Sequence, residues 1–204
     1  MVNYLIVLFA VTNIFFASAE RISIYIRLIA MQGLLLCGIA LAGLSEVNLG
    51  NLIFIAAETI VFKTVIMPYL LFRIVKTSGV TKVHRLSMPA FYNLLFSIFA
   101  LLISAMIAKS MLTGFVSSVF MTVALYTLFV GLLLIVTHRL IVSHIIGFMI
   151  TENAVFLFSV AVGNEMPMLI NIGILLDIFA GVLILGFFGL RIRSNTNEIT
   201  KLKD

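Results

Sequence analysis

Apolar residues in this chain do not alternate with polar ones. They run for about 20 residues at a time, and a short polar stretch closes each run. Lipid offers the backbone no hydrogen-bond partners, so a chain crossing it must form helices or a closed barrel, and unbroken runs of this length fit helices. The runs predict helices over 2–19, 22–44, 52–75, 90–108, 112–136, 140–162 and 167–190. The expected fold class is all-α, a polytopic membrane protein with about seven transmembrane helices. The opening run, MVNYLIVLFAVTNIFFASA, ends in Ala-Ser-Ala as a cleaved leader would, but no positive residue precedes it, so it reads as a retained span. KTSGVTKVHRLSMP is the longest polar connection, and no linker or low-complexity tract divides the chain. One integral membrane domain is the economical organisation.

Composition strengthens this picture and charge orients it. Of 204 residues 63% are hydrophobic and 10% charged, with mean hydropathy +1.26. If the connection at 73–85 is cytoplasmic, strict alternation also puts Arg21, Arg27, Arg139 and the tail RIRSNTNEITKLKD inside. Only Lys109 is then outside, with Lys63 inside a span. The N-terminus is therefore expected outside and the C-terminus in the cytoplasm. The net charge of +5 and pI of about 9.6 follow from basic residues that flank helices. No soluble domain is available to present a groove, which excludes nucleic acid as a partner. The lone cysteine, Cys37, cannot by itself build a disulfide framework, an iron–sulfur site or a Cys-rich zinc site.

The candidate chemistry lies in the ionisable residues within spans: Glu58, Lys63, His144, Glu152 and Asp177. At a rise of about 1.5 Å per residue, Lys63, Glu152 and Asp177 fall roughly 15 to 18 Å from their helix starts, near the middle of a core about 30 Å thick. A charge at that depth costs about 2.5 to 3.5 kcal/mol, which makes a proton relay, an ion site or a buried pair the leading readings. Desolvation favours the neutral form of such groups, so they can load and release protons. Glu58 and Lys63 are five residues apart, about 140° around an ideal α-helix, and address different neighbours unless the winding is bulged, as Pro68 would permit. His144 and Glu152 are eight apart, about 80° around and about 12 Å along, a gap for water or another side chain to bridge.

Plainer readings stand beside these. Lys63 and a carboxylate can form a static ion pair, and His144 can be an interfacial residue at a helix start. His84 and His138 read as solvated residues in or beside loops, and the Phe and Met residues as lipid-facing or core filler. Gly173, Gly181, Gly186 and Gly189 read as points of close helix approach in the last span. AETIVF (57–62) and TENAVF (151–156) share Glu-x-x-Val-Phe on oppositely directed spans, the pattern an inverted repeat would leave. No nucleotide loop, HExxH motif or assignable Ser-His-Asp set is present, and catalysis is not expected from this chain alone.

The stretch IIGFMITENAVFLFSVAVGNEMPMLINIGILLDIFAGVLILGFFGLRI resembles hydrogenase-4 component E. That is a membrane subunit of formate hydrogenlyase and related group 4 nickel–iron hydrogenase complexes. GFMITENAVF, MPML and LLDIFAGVL are its most specific pieces. Residues 112–192 are similar in turn to the small K-type subunit of complex I and the C-type subunit of Mrp antiporters. Residues 1–111 match component E only in length and hydropathy. The resemblance implies a four-helix region at 1–111, a three-helix K-like region at 112–192 and a cytoplasmic tail at 193–204.

It also implies functional roles. Asp177 falls where the K-type subunit has an intramembrane glutamate, in a similar acid-x-x-x-Gly pattern ending at Gly181. Aligning Gly147 and Asn153 puts the other family glutamate at Met149, so the acid here, Glu152, lies three residues later; component E has the acid beside the Asn, as here. The chain is then a subunit without a redox cofactor, in a prokaryotic inner membrane. Antiporter-like subunits, a membrane anchor and hydrogenase-like peripheral subunits would be its partners, and the nickel–iron centre and iron–sulfur clusters would lie in those partners. Its Glu152, Asp177, Lys63, Glu58 and His144 would contribute to a path for H⁺ or Na⁺. The competing functions are a stand-alone secondary ion transporter, a subunit of another complex I-related or Mrp-like assembly, and a scaffold whose charges are static. A retinal photoreceptor is rejected, because its Schiff base needs a lysine in the final span, where only Asp177 is ionisable.

Overall fold

The computed structural model describes residues 2–19, 21–43, 57–78, 90–110, 117–138 and 141–162. Among these the chain is all helical: α1 (Val2–Ser18), α2 (Ile22–Gly43), a π-helix (Ala57–Ile66) running directly into α3 (Met67–Ser78), α4 (Ala90–Ser110), α5 (Ser118–Thr137) and α6 (Ile141–Val162). Four of them, α2, α4, α5 and α6, are long and apolar enough to cross a membrane, and α1 is a shorter apolar helix. The helices predicted from 2, 22, 90 and 140 are observed within a residue or two of those starts; α5 begins at Ser118, with 112–116 outside the described residues. The run at 167–190, with its four glycines and Asp177, and the tail at 193–204 also lie outside them.

The run at 52–75 departs from a uniform α-helix. Its first described part is wound as a π-helix, closed by i→i+5 hydrogen bonds, and the return to α-winding comes at Met67, immediately before Pro68. Pro68 has no N–H to offer the carbonyl four residues back, at Thr64, and its ring crowds that carbonyl. Wider turns upstream relieve the conflict. Thr64 reinforces them by donating its hydroxyl to the Thr59 carbonyl, five residues back, at 2.9 Å. The segments 57–62 and 151–156 therefore differ in winding, π in one and α in the other, so their shared Glu-x-x-Val-Phe is not matched by shared local structure.

Two apolar clusters divide the bundle along its length. One gathers Phe16, Tyr25, Ile29, Met67, Leu71, Val130, Leu134, Ile146 and Ile150; the other gathers Ile6, Phe9, Leu36, Ile39, Ala124, Phe156 and Leu157. Along α1 and α5 the second cluster precedes the first, and along α2 and α6 the order is reversed. α1 thus runs opposite to α2, and α5 opposite to α6. α4 is the outermost of the long helices, turning Phe91, Leu95, Phe99, Leu102 and Met106 outward. That is the surface a lipid-facing helix presents.

Between apolar helices in lipid, association rests on close packing, and small residues permit it. α5 and α6 meet at Gly131 and Gly147. A Cβ on Gly147 would lie 2.8 Å from the Gly131 carbonyl oxygen, and one on Gly131 would lie 2.9 Å from the Gly147 carbonyl oxygen. The Ser117 N–H also reaches the Ala161 carbonyl at 3.4 Å, tying the start of α5 to the end of α6. Because backbone faces backbone at the crossing, Gly147→Ala is expected to cost about 1–3 kcal/mol through overpacking. Thermal unfolding of the purified protein in mild detergent measures this, with Gly38→Ala as the milder comparison, since its Cβ would meet only the Leu5 side chain, at 3.3 Å.

Candidate functional site

The two apolar clusters are separated by a layer of buried polar side chains. On α1, Thr12 and Asn13 fall between Phe9 and Phe16; on α2, Gln32 falls between Ile29 and Leu35; on α5, Thr127 falls between Ala124 and Val130; on α6, Glu152 and Asn153 fall between Ile150 and Phe156. Gln32 is the hub. Its amide nitrogen donates to Thr12 Oγ1 and to Asn13 Oδ1, both at 2.9 Å, and its Oε1 accepts from Asn153 Nδ2 at 3.0 Å. Asn13 Nδ2 donates to Thr127 Oγ1 at 2.8 Å, and the two threonine hydroxyls donate to Phe9 and Val123 carbonyls on their own helices. One donor meets one acceptor at each step. Beside Thr127, the Tyr126 and Ser97 hydroxyls lie 2.7 Å apart and extend the layer to α4.

Lys63 and Glu152 lie in the same region, each only 6% exposed. Three contacts join the helices that carry them. The Gln32–Asn153 hydrogen bond fixes α2 to the residue after Glu152. The next residue of α2, Gly33, lets the π-helix approach, because a Cβ there would lie 3.2 Å from the Lys63 carbonyl carbon and the Thr64 nitrogen. Finally, the Lys63 ammonium sits over the Phe156 ring, 5.3 Å from its centroid and one turn of α6 beyond Glu152. A desolvated cation on an aromatic face gains about 2 kcal/mol. The structure thus brings together Lys63 and the turn bearing Glu152, two of the residues singled out by their depth in the sequence.

The remaining candidates are placed as follows. Glu58 lies in the π-helix five residues before Lys63, and i→i+5 winding sets two such positions close to one face rather than about 140° apart. His144 is exposed, in the first turn of α6, on a different side of that helix from buried Glu152. Asp177 lies outside the described residues. Among the described residues no group of three or more His, Cys, Asp or Glu side chains could hold a metal ion.

His138, expected to be solvated beside a loop, is instead 3% exposed. It follows the last residue of α5, and contacts with the Tyr25 hydroxyl and the Leu134 carbonyl hold the ring among the helix ends. Its Nδ1 lies 3.1 Å from the Leu134 carbonyl and 2.9 Å from Thr137 Oγ1. Its Nε2 lies 3.5 Å from the Tyr25 hydroxyl, and that hydroxyl donates to the Ala19 carbonyl at 2.8 Å. Burial pushes the imidazole below its ordinary pKa of 6.5; the Leu134 carbonyl works against this and the nearby His144 adds to it.

The sequence reading also passed over Gln32, Asn13, Thr12 and Thr127. Each is an uncharged polar residue in an apolar run, and an amide there is itself a signal, since it needs an interhelical partner.

Two outcomes follow. Gln32→Leu removes three interhelical hydrogen bonds and strands the Asn13 and Asn153 amides, a loss of about 2–3 kcal/mol measurable by thermal unfolding in detergent. For His138, the folded state binds the proton less well than the unfolded chain, so the unfolded state gains protons first on acidification. Stability is level well above pH 6.5 and falls as the pH drops through 6.5 towards the lower folded value. Unfolding midpoints compared at about pH 8 and about pH 5.5 should show this fall, reduced in His138→Asn.

Comparison with family models, with curated proteins and with solved structures finds no match for this chain.

Proposed function

We propose that this chain is a membrane subunit of a complex I-like, group 4 nickel–iron hydrogenase assembly of the hydrogenase-4 or formate hydrogenlyase type. It contributes interior acidic and basic side chains to a path for H⁺ or Na⁺ coupled to redox chemistry in other subunits. The observation that carries the ion-path reading is the placement of Lys63 and Glu152, both buried, on helices locked to each other through Gln32, Gly33 and Phe156. Buried ionisable groups at mid-span mark ion and proton paths more often than packing sites. The hydrogenase assignment itself rests on the resemblance of GFMITENAVF and LLDIFAGVL to component E.

In this reading the chain crosses a prokaryotic inner membrane seven times, N-terminus outside and C-terminus inside, and holds no redox centre. Antiporter-like subunits, a membrane anchor and hydrogenase-like subunits surround it. The opposed directions of α1, α2, α5 and α6 agree with the alternation that puts Arg21, Arg27 and Arg139 on the cytoplasmic side. Glu152 and Asp177 take up and release the ion, Lys63 responds to their charge, Glu58 lies one π-turn from Lys63, and His144 stands near the cytoplasmic mouth.

The test is to purify the tagged protein from its native membrane and identify what comes with it, then measure ion translocation in vesicles carrying Glu152→Gln. Antiporter-like and nickel–iron hydrogenase-like chains are expected in stoichiometric amounts. The variant should assemble normally and lose about tenfold or more of the flux. Unchanged flux would make Glu152 structural, and a lone chain on purification would favour an independent transporter.

A further inference from the structure

We infer that Phe156 is a positioning residue whose ring face seats the Lys63 ammonium beside the turn of α6 that carries Glu152. The contact spans two helices far apart in sequence, with Nζ over the ring at 5.3 Å. Neither side of it is loose. Phe156 is 5% exposed and belongs to the apolar cluster that includes Leu36, Ile39 and Leu157. Lys63 stands on a backbone that Gly33 admits against α2, in a π-wound segment where the Thr64 hydroxyl bonds to the Thr59 carbonyl.

The chemistry favours an aromatic at this position over an aliphatic of similar size. A ring face carries negative electrostatic potential that attracts an ammonium, while offering no proton and no fixed charge. It therefore holds the lysine head beside the turn that carries Glu152 while adding no charge of its own. The seat stands on the geometry alone; its use in ion movement rests on the function proposed above.

Replacing Phe156 in the full-length protein by phenylalanine carrying one, two and then three ring fluorines withdraws the face potential stepwise and nearly preserves shape. The same series at Phe9, which is fully buried in the same cluster, is the packing control. The unfolding midpoint in mild detergent should fall progressively at Phe156, by about 2–4 °C for the trifluoro form, and stay level at Phe9. Phe156→Tyr should retain more of the midpoint than Phe156→Leu. A flat series at Phe156, or equal falls at both positions, would overturn the seat. This readout needs no ion flux, so it is independent of the Glu152→Gln test. Where Glu152→Gln does abolish flux, the fluorinated series should lower flux in the same order, and an unchanged flux would overturn the positioning role.

Discussion

The obligation to satisfy buried amides away from water governs the polar layer of this bundle. A buried amide that loses its partner loses about 1–3 kcal/mol, and Gln32 meets the obligation for two helices besides its own. With both amide hydrogens and the carbonyl oxygen engaged, it sets the relative heights of α1, α2 and α6, and Asn13 passes the constraint to α5 through Thr127. A slip of any of these helices by one turn, about 5.4 Å, would break the set. Apolar packing alone does not supply that discrimination in lipid, because hydrocarbon serves a leucine as well as another leucine does.

Around that layer the remaining devices are local and steric. Gly131 and Gly147 bring the backbones of α5 and α6 together, and Gly33 does the same for α2 and the π-helix. The π-winding follows from a proline that cannot accept α-geometry behind it, and its consequence is angular: a residue five positions along moves onto nearly the same face. Polar registry, glycine contact and altered winding together deliver Lys63 to Phe156, one turn from Glu152.

Much of the fold was legible in the chain because the bilayer imposes length and composition on whatever crosses it. The runs from 22, 90 and 140 each became a helix, and the depth of Lys63 and Glu152 within their runs marked them before any contact was known. The π-winding of the 57–66 segment could be allowed for at Pro68 but not read, because hydropathy is blind to winding. Treating His138 as solvated failed because its position at a helix end does not reveal that Tyr25, more than 100 residues away in sequence, packs against it. Phe156 was indistinguishable from the other phenylalanines until a cation was found on its face.

The sequence by itself determined that the described residues are helical and suited to lipid, that the ionisable residues within its apolar runs are exceptional, and roughly where α1, α2, α4 and α6 begin, since these depend on composition and spacing along the chain. Only the tertiary structure decided which polar groups meet, that Gln32 is their hub, and that Lys63 lies over Phe156 rather than elsewhere in the bundle. Those outcomes depend on the rotation and height of each helix relative to its neighbours, which are set by hydrogen bonds and close contacts between residues as many as 121 positions apart.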